Sequence, residues 1–191
     1  MTPDEFYQKV RQNMSKIPSF IERDMPRIAG KLAVDFYKES FRNQGFTDKT
    51  LKKWQPSKRT LYKDRFASSQ YGTLLSSRNE LMESITYRVG LGFAIIVSDK
   101  EHAEIHNEGG PVNFNVKVTP KMRKFAWAKH YNAEKDSEEA GKWKGLALTK
   151  KNTLNIKFTM PKRQFIGESE QLNKKVVEKI ETKLTTLLNI N

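Results

Sequence analysis

Apolar residues recur at helical spacing near the N-terminus: Phe20, Ile21, Met25, Ile28, Leu32, Phe36 and Tyr37. Pro26 interrupts this stripe, and the missing N–H predicts a kink or break near Met25. The stronger part of the helix then runs from Pro26 to Arg42 and ends near Asn43 and Gly45. A short helix precedes it, opened by Thr2 as cap, Pro3 in the first position and Glu5 completing a capping box, and a second helix is read as beginning at Pro18 and Ser19. From Phe46 to Ser69 the periodicity fades. The segment "DKTLKKWQPSKRTLYKDR" reads as a basic loop with short turns around Trp54 and Tyr62. Leu74, Leu75, Leu81, Met82 and Ile85 predict a short helix after it.

The period then changes to two. "SITYRVG" and "GFAIIVSD" are β-branched and separated by Gly90 and Gly92, which signals a hairpin. "PVNFNVKVT" alternates, with Val112, Phe114, Val116 and Val118 on one face, and "TLNIKFTM" repeats the pattern. These two segments predict one long hairpin, an insertion at about 112–160. Its tip, Pro120 to Asn152, reads as an extended basic loop carrying Phe125, Trp127, Tyr131 and Trp143. A last stripe of Leu172, Val176, Ile180, Leu184 and Leu187 is a C-terminal helix. The sum is an α+β fold: a mostly antiparallel sheet packed with a long N-terminal helix and a C-terminal helix. Its 191 residues suit a single domain, 1–191, carrying that insertion.

Charge changes this picture more than composition does. The formal net charge is +13, which favours polyanionic partners, either nucleic acid or acidic protein surfaces. There are no cysteines, so disulfides and thiolate sites are excluded. No apolar run reaches the length of a membrane span, and "MTPDEFYQKV" is not a secretory signal, so no membrane partner is expected.

The stretch "HAEIHNEGG" holds two of the three histidines. The zincin order His-Glu-x-x-His is absent, because the glutamate stands two places after His102. The flanking strands and Gly109-Gly110-Pro111 favour a strand or strand end here. That would set His102 and His106 on one face but roughly 13 Å apart, too far to share an ion. No metal site, and no cofactor, is expected. Nucleophile elbows and phosphate-binding loops are absent too, so the chain reads as non-enzymatic. Two segments, "KKWQPSKRTLYKDR" and "KMRKFAWAKHY", place aromatics among cations, as stacking on bases and neutralising phosphates requires. Basic nucleic-acid binding is therefore one reading of the chain.

Four motifs in order give another. They are "SFRNQGFTDKTLKKWQPSKRTL", "LLSSRNELMESITYRV", "IIVSDKEHAEIHNEGG" and "FTMPKRQFIGESEQL". Together they resemble the phage virion morphogenesis family, the tail-completion and head–tail joining proteins of tailed phages, including the Mu-like prophage type. The resemblance places Trp54, Pro56, Ser57 and Thr60 after the first long helix, Leu75, Leu81, Ser84 and Ile85 centrally, and Ala103, Ile105, His106 and Gly109 in the histidine motif. Pro161, Arg163, Phe165, Gly167 and Ser169 fall in the last. Departures from the family pattern are Asn79 for Gly, His102 for Tyr and Gln164 for Pro.

The resemblance implies a structural protein of virion assembly that completes the tail or joins it to the head, acting at the neck as a ring. Its partners would be further copies of itself and other neck or tail proteins, with non-specific DNA contact as a further possibility. It would act in the bacterial host cytoplasm during assembly and then in the virion. His106 is expected to hold the strand-to-turn junction by hydrogen bonding, and Arg163 to fix the junction before the C-terminal helix through main-chain carbonyls. The candidate docking surfaces are the Lys49–Arg65 loop, with Lys52, Lys53, Lys58 and Arg59, and the hairpin tip, with Lys121, Arg123, Lys124, Trp127 and Trp143.

Overall fold

A computed structural model describes residues 2–62 and 70–188. The chain divides into two compact units, Met1–Gly109 with Pro161–Asn191, and Gly110–Met160. The fold is mixed helix and antiparallel strand, as expected, but the described strands form three separate two-stranded ribbons rather than one sheet.

The first unit begins with α1 (Pro3–Ser19), capped as the sequence predicts: Thr2 Oγ1 accepts from Glu5 N–H, and Glu5 returns the bond to Thr2 N–H. The first helix is not short, since α1 runs 17 residues with Pro18 inside it, and where a kink or break was expected near Met25 a π-helical turn, Phe20–Asp24, leads directly into α2 (Met25–Arg42). The Met25 N–H reaches back five residues to the Phe20 carbonyl. The wider turn lies between Pro18 and Pro26 and absorbs the irregularity their missing donors impose. The helical path is thereby kept from Pro3 to Arg42.

α2 buries Pro26, Gly30, Ala33, Tyr37, Ser40 and Phe41 on one face. Against it pack β3 (Thr86–Val89) and β4 (Ala94–Val97), the predicted hairpin, and the C-terminal helix α8 (Glu170–Leu188). Gly30 permits the approach to β3: a Cβ there would lie 2.3 Å from the Tyr87 ring. The region read as a basic loop contains regular structure. β1 (Gly45–Thr47) pairs with β2 (Leu51–Lys53), and α3 (Lys58–Tyr62) follows; residues 63–65 of the proposed docking loop lie outside the described residues. The helix expected around Leu81 is a single turn, α4 (Glu80–Glu83). It starts from Asn79 at φ +50, a left-handed conformation that Gly adopts freely and Asn tolerates. The core gathers Tyr37, Phe41, Phe46, Trp54, Leu81, Met82, Ile85, Phe165 and Leu172.

The second unit is built on β5 (Gly110–Lys117) and β6 (Thr153–Met160), paired antiparallel from Gly110↔Met160 to Lys117↔Thr153. The register aligns Val112 with Phe158, Phe114 with Ile156 and Val116 with Leu154, so the apolar face is shared. On the other face Asn155 Nδ2 donates to Asn113 at 2.7 Å and Asn115 at 3.0 Å. The tip is not an extended loop. It forms α6 (Pro120–Asn132) and α7 (Glu138–Leu148), capped by Thr119 and Ser137. Their contact uses small residues, Ala126, Ala140 and Ala147, all buried, which lets the helices approach closely and gives little periodic signal.

Phe41 is fully buried between Trp54 and Phe165, with ring centroids at 5.4 and 5.1 Å. Phe41→Ala should therefore destabilise the first unit by about 3–5 kcal/mol, measured by chemical denaturation.

Candidate functional site

Pro161 to Ser169 joins β6 to α8 without regular secondary structure, yet it is among the best-anchored stretches of the first unit. Its main-chain groups have no ladder or helix to pair with, so side chains from three directions supply the partners. From α5 (Ala103–Glu108), Asn107 Oδ1 accepts from the N–H groups of Phe165 at 2.8 Å and Ile166 at 2.9 Å. The same amide donates back to the Ile166 carbonyl at 3.1 Å. After β2, the Trp54 indole N–H donates to Gln164 O at 2.7 Å. From α2, the Tyr37 hydroxyl donates to Gly167 O at 2.8 Å. Arg163 N–H donates to the His106 carbonyl at 2.8 Å, and Arg163 Nε donates to Gln55 O at 3.0 Å. Ser169 Oγ then accepts from Leu172 N–H and opens α8.

Trp54, His106, Arg163, Phe165 and Gly167 therefore meet around one segment, with Pro56 just after Gln55, while Gly109 closes α5. Phe165, 1% exposed, plugs the core from this segment. Asn107 was missed from sequence: its partners lie 58 and 59 residues away, and no spacing rule links them. Tyr37 appeared only as part of a helical stripe. Gln44 was also missed as an anchor. It takes φ +52, its amide donates to Phe41 O and Thr73 O, and its side-chain oxygen accepts from Thr73 N–H, tying the turn at 72–75 to the end of α2.

The histidine stretch corrects the expected strand. Ala103–Glu108 is a short helix closed by Gly109 at φ +72, the conformation a helix-ending Gly supplies. His102 and His106 consequently lie with ring centroids 5.7 Å apart, not across a strand repeat. His106 reaches the junction through its main-chain carbonyl, whereas its buried Nδ1 has no hydrogen-bond partner among the described residues. Among the described residues, no group of three or more His, Asp or Glu side chains is placed to hold a metal ion. A cleft of about 410 Å³ lies beside this motif, lined in part by Ser57, Arg59, Thr73, Glu80, His102, His106 and Arg163.

Electrostatics follow from burial. Desolvation, then the charges of His102 and Arg163, hold the His106 imidazole below its ordinary 6.5. Burial also lowers the Arg163 guanidinium and raises the Tyr37 phenol. Glu108, exposed, is held below the usual carboxylate value by Lys162, 3.0 Å away, and by Asn107.

The candidate docking residues separate by type. Lys52, Lys53 and Lys58 are exposed, and Lys53 Nζ donates to Asn43 O at 2.7 Å. Arg59 turns inward, donating to Leu75 O at 2.8 Å and Gly72 O at 3.2 Å. In the second unit Lys121 and Lys124 are exposed on α6, while Arg123 donates to Ala147 O and Thr149 O and ties the start of α6 to the end of α7. Trp127 stacks on Tyr131, and Trp143 packs edge-on to Phe125 and donates to Glu139 at 3.2 Å.

Asn107→Ala strands two N–H groups and one carbonyl, and should cost about 2–4 kcal/mol in chemical denaturation. Asn107→Asp keeps the acceptor and should cost less. The His106 shift has a defined sign. The unfolded chain takes up a proton at His106 at higher pH than the folded chain does, so stability is complete above about pH 6.5 and declines below it. The Glu108 contribution is lost only in a lower window, below 4.5. Melting temperature followed from about pH 7.5 to 5.5 should fall in the wild type and flatten in His106→Gln.

No curated protein and no solved structure matches the chain. The sequence pattern of the phage virion morphogenesis family matches residues 7–185, spanning every motif segment that converges on the 161–169 junction. The chain belongs to the phage virion morphogenesis family.

Proposed function

We propose that the chain is a non-enzymatic structural protein that completes the phage tail or joins it to the head at the neck, acting as a ring with other neck and tail proteins. Family membership supports an assembly role. The observation that carries the non-enzymatic reading is where the polar groups around the 161–169 junction go. Trp54, Asn107, Tyr37 and Arg163 all donate to or accept from main-chain groups. They hold a segment in place rather than converge on a reacting atom. A rigid hub of this kind suits a subunit that must be finished before it docks. The exposed lysines of the first unit and of α6 are the proposed docking surfaces. Charge pairing there speeds and orients assembly more than it holds it.

Basic nucleic-acid binding is the second reading, favoured by one feature. Residues 110–160 carry eleven lysines and arginines against four acids, with Phe125 and Tyr131 exposed among them.

Deleting the gene from its phage should abolish infectious titre and leave separate heads and tails in electron micrographs. Adding the purified protein to such an extract should restore joined particles. Normal virions from the deletion would overturn the proposal. Light scattering with and without duplex DNA, across a salt series, separates the second reading: tight, sequence-selective binding by a monomer at physiological salt would favour it.

A further inference from the structure

α1 carries a row of apolar side chains that is exposed except at half-buried Ile17. Tyr7, Val10, Met14 and Ile17, continued by Ile21 in the π-turn, follow one another at steps of three and four, the seam spacing of a two-helix coiled coil. Tyr7 is 67% exposed, Met14 63%, Ile21 47% and Val10 38%, and Phe6 beside them is 56% exposed. Single exposed apolar residues are ordinary, but a continuous row on one helix face marks a contact surface. The flank is already used: buried Asn13 donates to Leu188 O at 3.0 Å. The seam adjoins that bond, with Val10 three residues before Asn13 and half-buried Ile17 four after it, and opens to solvent through Tyr7 and Met14.

We propose that α1 pairs antiparallel with α1 of a second copy. Packing favours this direction. Aligned about Gln12, the antiparallel pair sets Tyr7 against Ile17 and Val10 against Met14, a larger side chain against a smaller one each time. A parallel pair sets Tyr7 on Tyr7 and Met14 on Met14. Charge favours it as well. α1 is acidic in its first turn, at Asp4 and Glu5, and basic afterwards, at Lys9, Arg11 and Lys16. A parallel pair puts every charge level with its own copy. The antiparallel pair brings the acidic turn within about one turn of Lys16 on the second copy, and it opposes the two helix dipoles. The exception is Arg11, which meets its own copy near the twofold axis. The exposed row offers on the order of 500 Å² per copy. The pair then buries about 1,000 Å², the lower bound of a specific interface, so the dimer is reversible and concentration-dependent. Such a pair is isologous and closes at two copies, so it goes beyond the head-to-tail contact a ring requires and stands separately from it.

The absence of native cysteine makes a direct test available. Full-length Val10→Cys and Met14→Cys are purified, and each alone and an equal mixture are oxidised mildly. The mixture should yield several-fold more disulfide dimer than either variant alone. In sedimentation, wild type should approach twice the monomer mass as concentration rises, Val10→Asp should remain monomeric with an unchanged melting temperature, and Arg11→Gln should dimerise more tightly. Three results would overturn the proposal: a wild type that is monomeric throughout, preferential cross-linking of Val10→Cys with itself, or an oligomer whose mass Val10→Asp leaves unchanged.

Discussion

A nine-residue stretch of chain with no helix or strand must still satisfy its main-chain hydrogen bonds, and the first unit is organised around doing so. Leaving a buried N–H or carbonyl unpaired costs about 1–3 kcal/mol, comparable with a large share of a domain's net stability. Asn107, Trp54 and Tyr37 meet that demand from three elements that are remote in sequence. Each bond also fixes the position of its donor. The Trp54 ring, held by Gln164 O, lies edge-on to Phe41, and Phe165, held by Asn107, packs tilted against the same ring. The polar anchoring and the aromatic core are thus one arrangement viewed from two sides.

Much of this was legible where a local rule governs it. The capping box at Thr2 and Glu5, the stripe of α2, the β3–β4 hairpin and the alternating strands β5 and β6 all follow from spacing and cap chemistry within a few residues. The readings that failed did so where a local rule had two outcomes. Gly109-Gly110-Pro111 ends a strand or a helix equally well, and the strands nearby tipped the reading the wrong way. The α6–α7 pair carries its contact on alanines, so the apolar signal was spread over exposed aromatics and looked like a loop. Thr119-Pro120 and Ser137-Glu138-Glu139 were the cap signals that could have found both helices. Of the junction, Trp54, Arg163 and Phe165 were reached through family resemblance, while Asn107 was not, because an amide that pairs with distant backbone leaves no period behind.

The two guanidiniums and the lysines near them illustrate a division of labour. Arg59 and Arg123 each donate to two carbonyls and act as internal braces, a task suited to a planar multi-donor group. Lys58, Lys121 and Lys124 stand in solvent. The formal charge of +13 is therefore partly structural, and the portion available to a partner is smaller than the sequence total suggests.

The π-helical turn between Pro18 and Pro26 has a consequence beyond easing two prolines. Each residue of an α-helix turns the chain by roughly 100°, and a π-turn accommodates the equivalent of one extra residue without lengthening the axis much. The turn thus works as a phase setting between the face that α2 buries and the face that α1 shows. Losing one residue from Phe20–Asp24 would close the wide turn to α-helical pitch and roughly keep that phase, whereas losing one from within α1 or α2 would rotate one face about the other by that angle. The wide turn is thus where the chain can change length by one residue while the N-terminal helix still faces the same way.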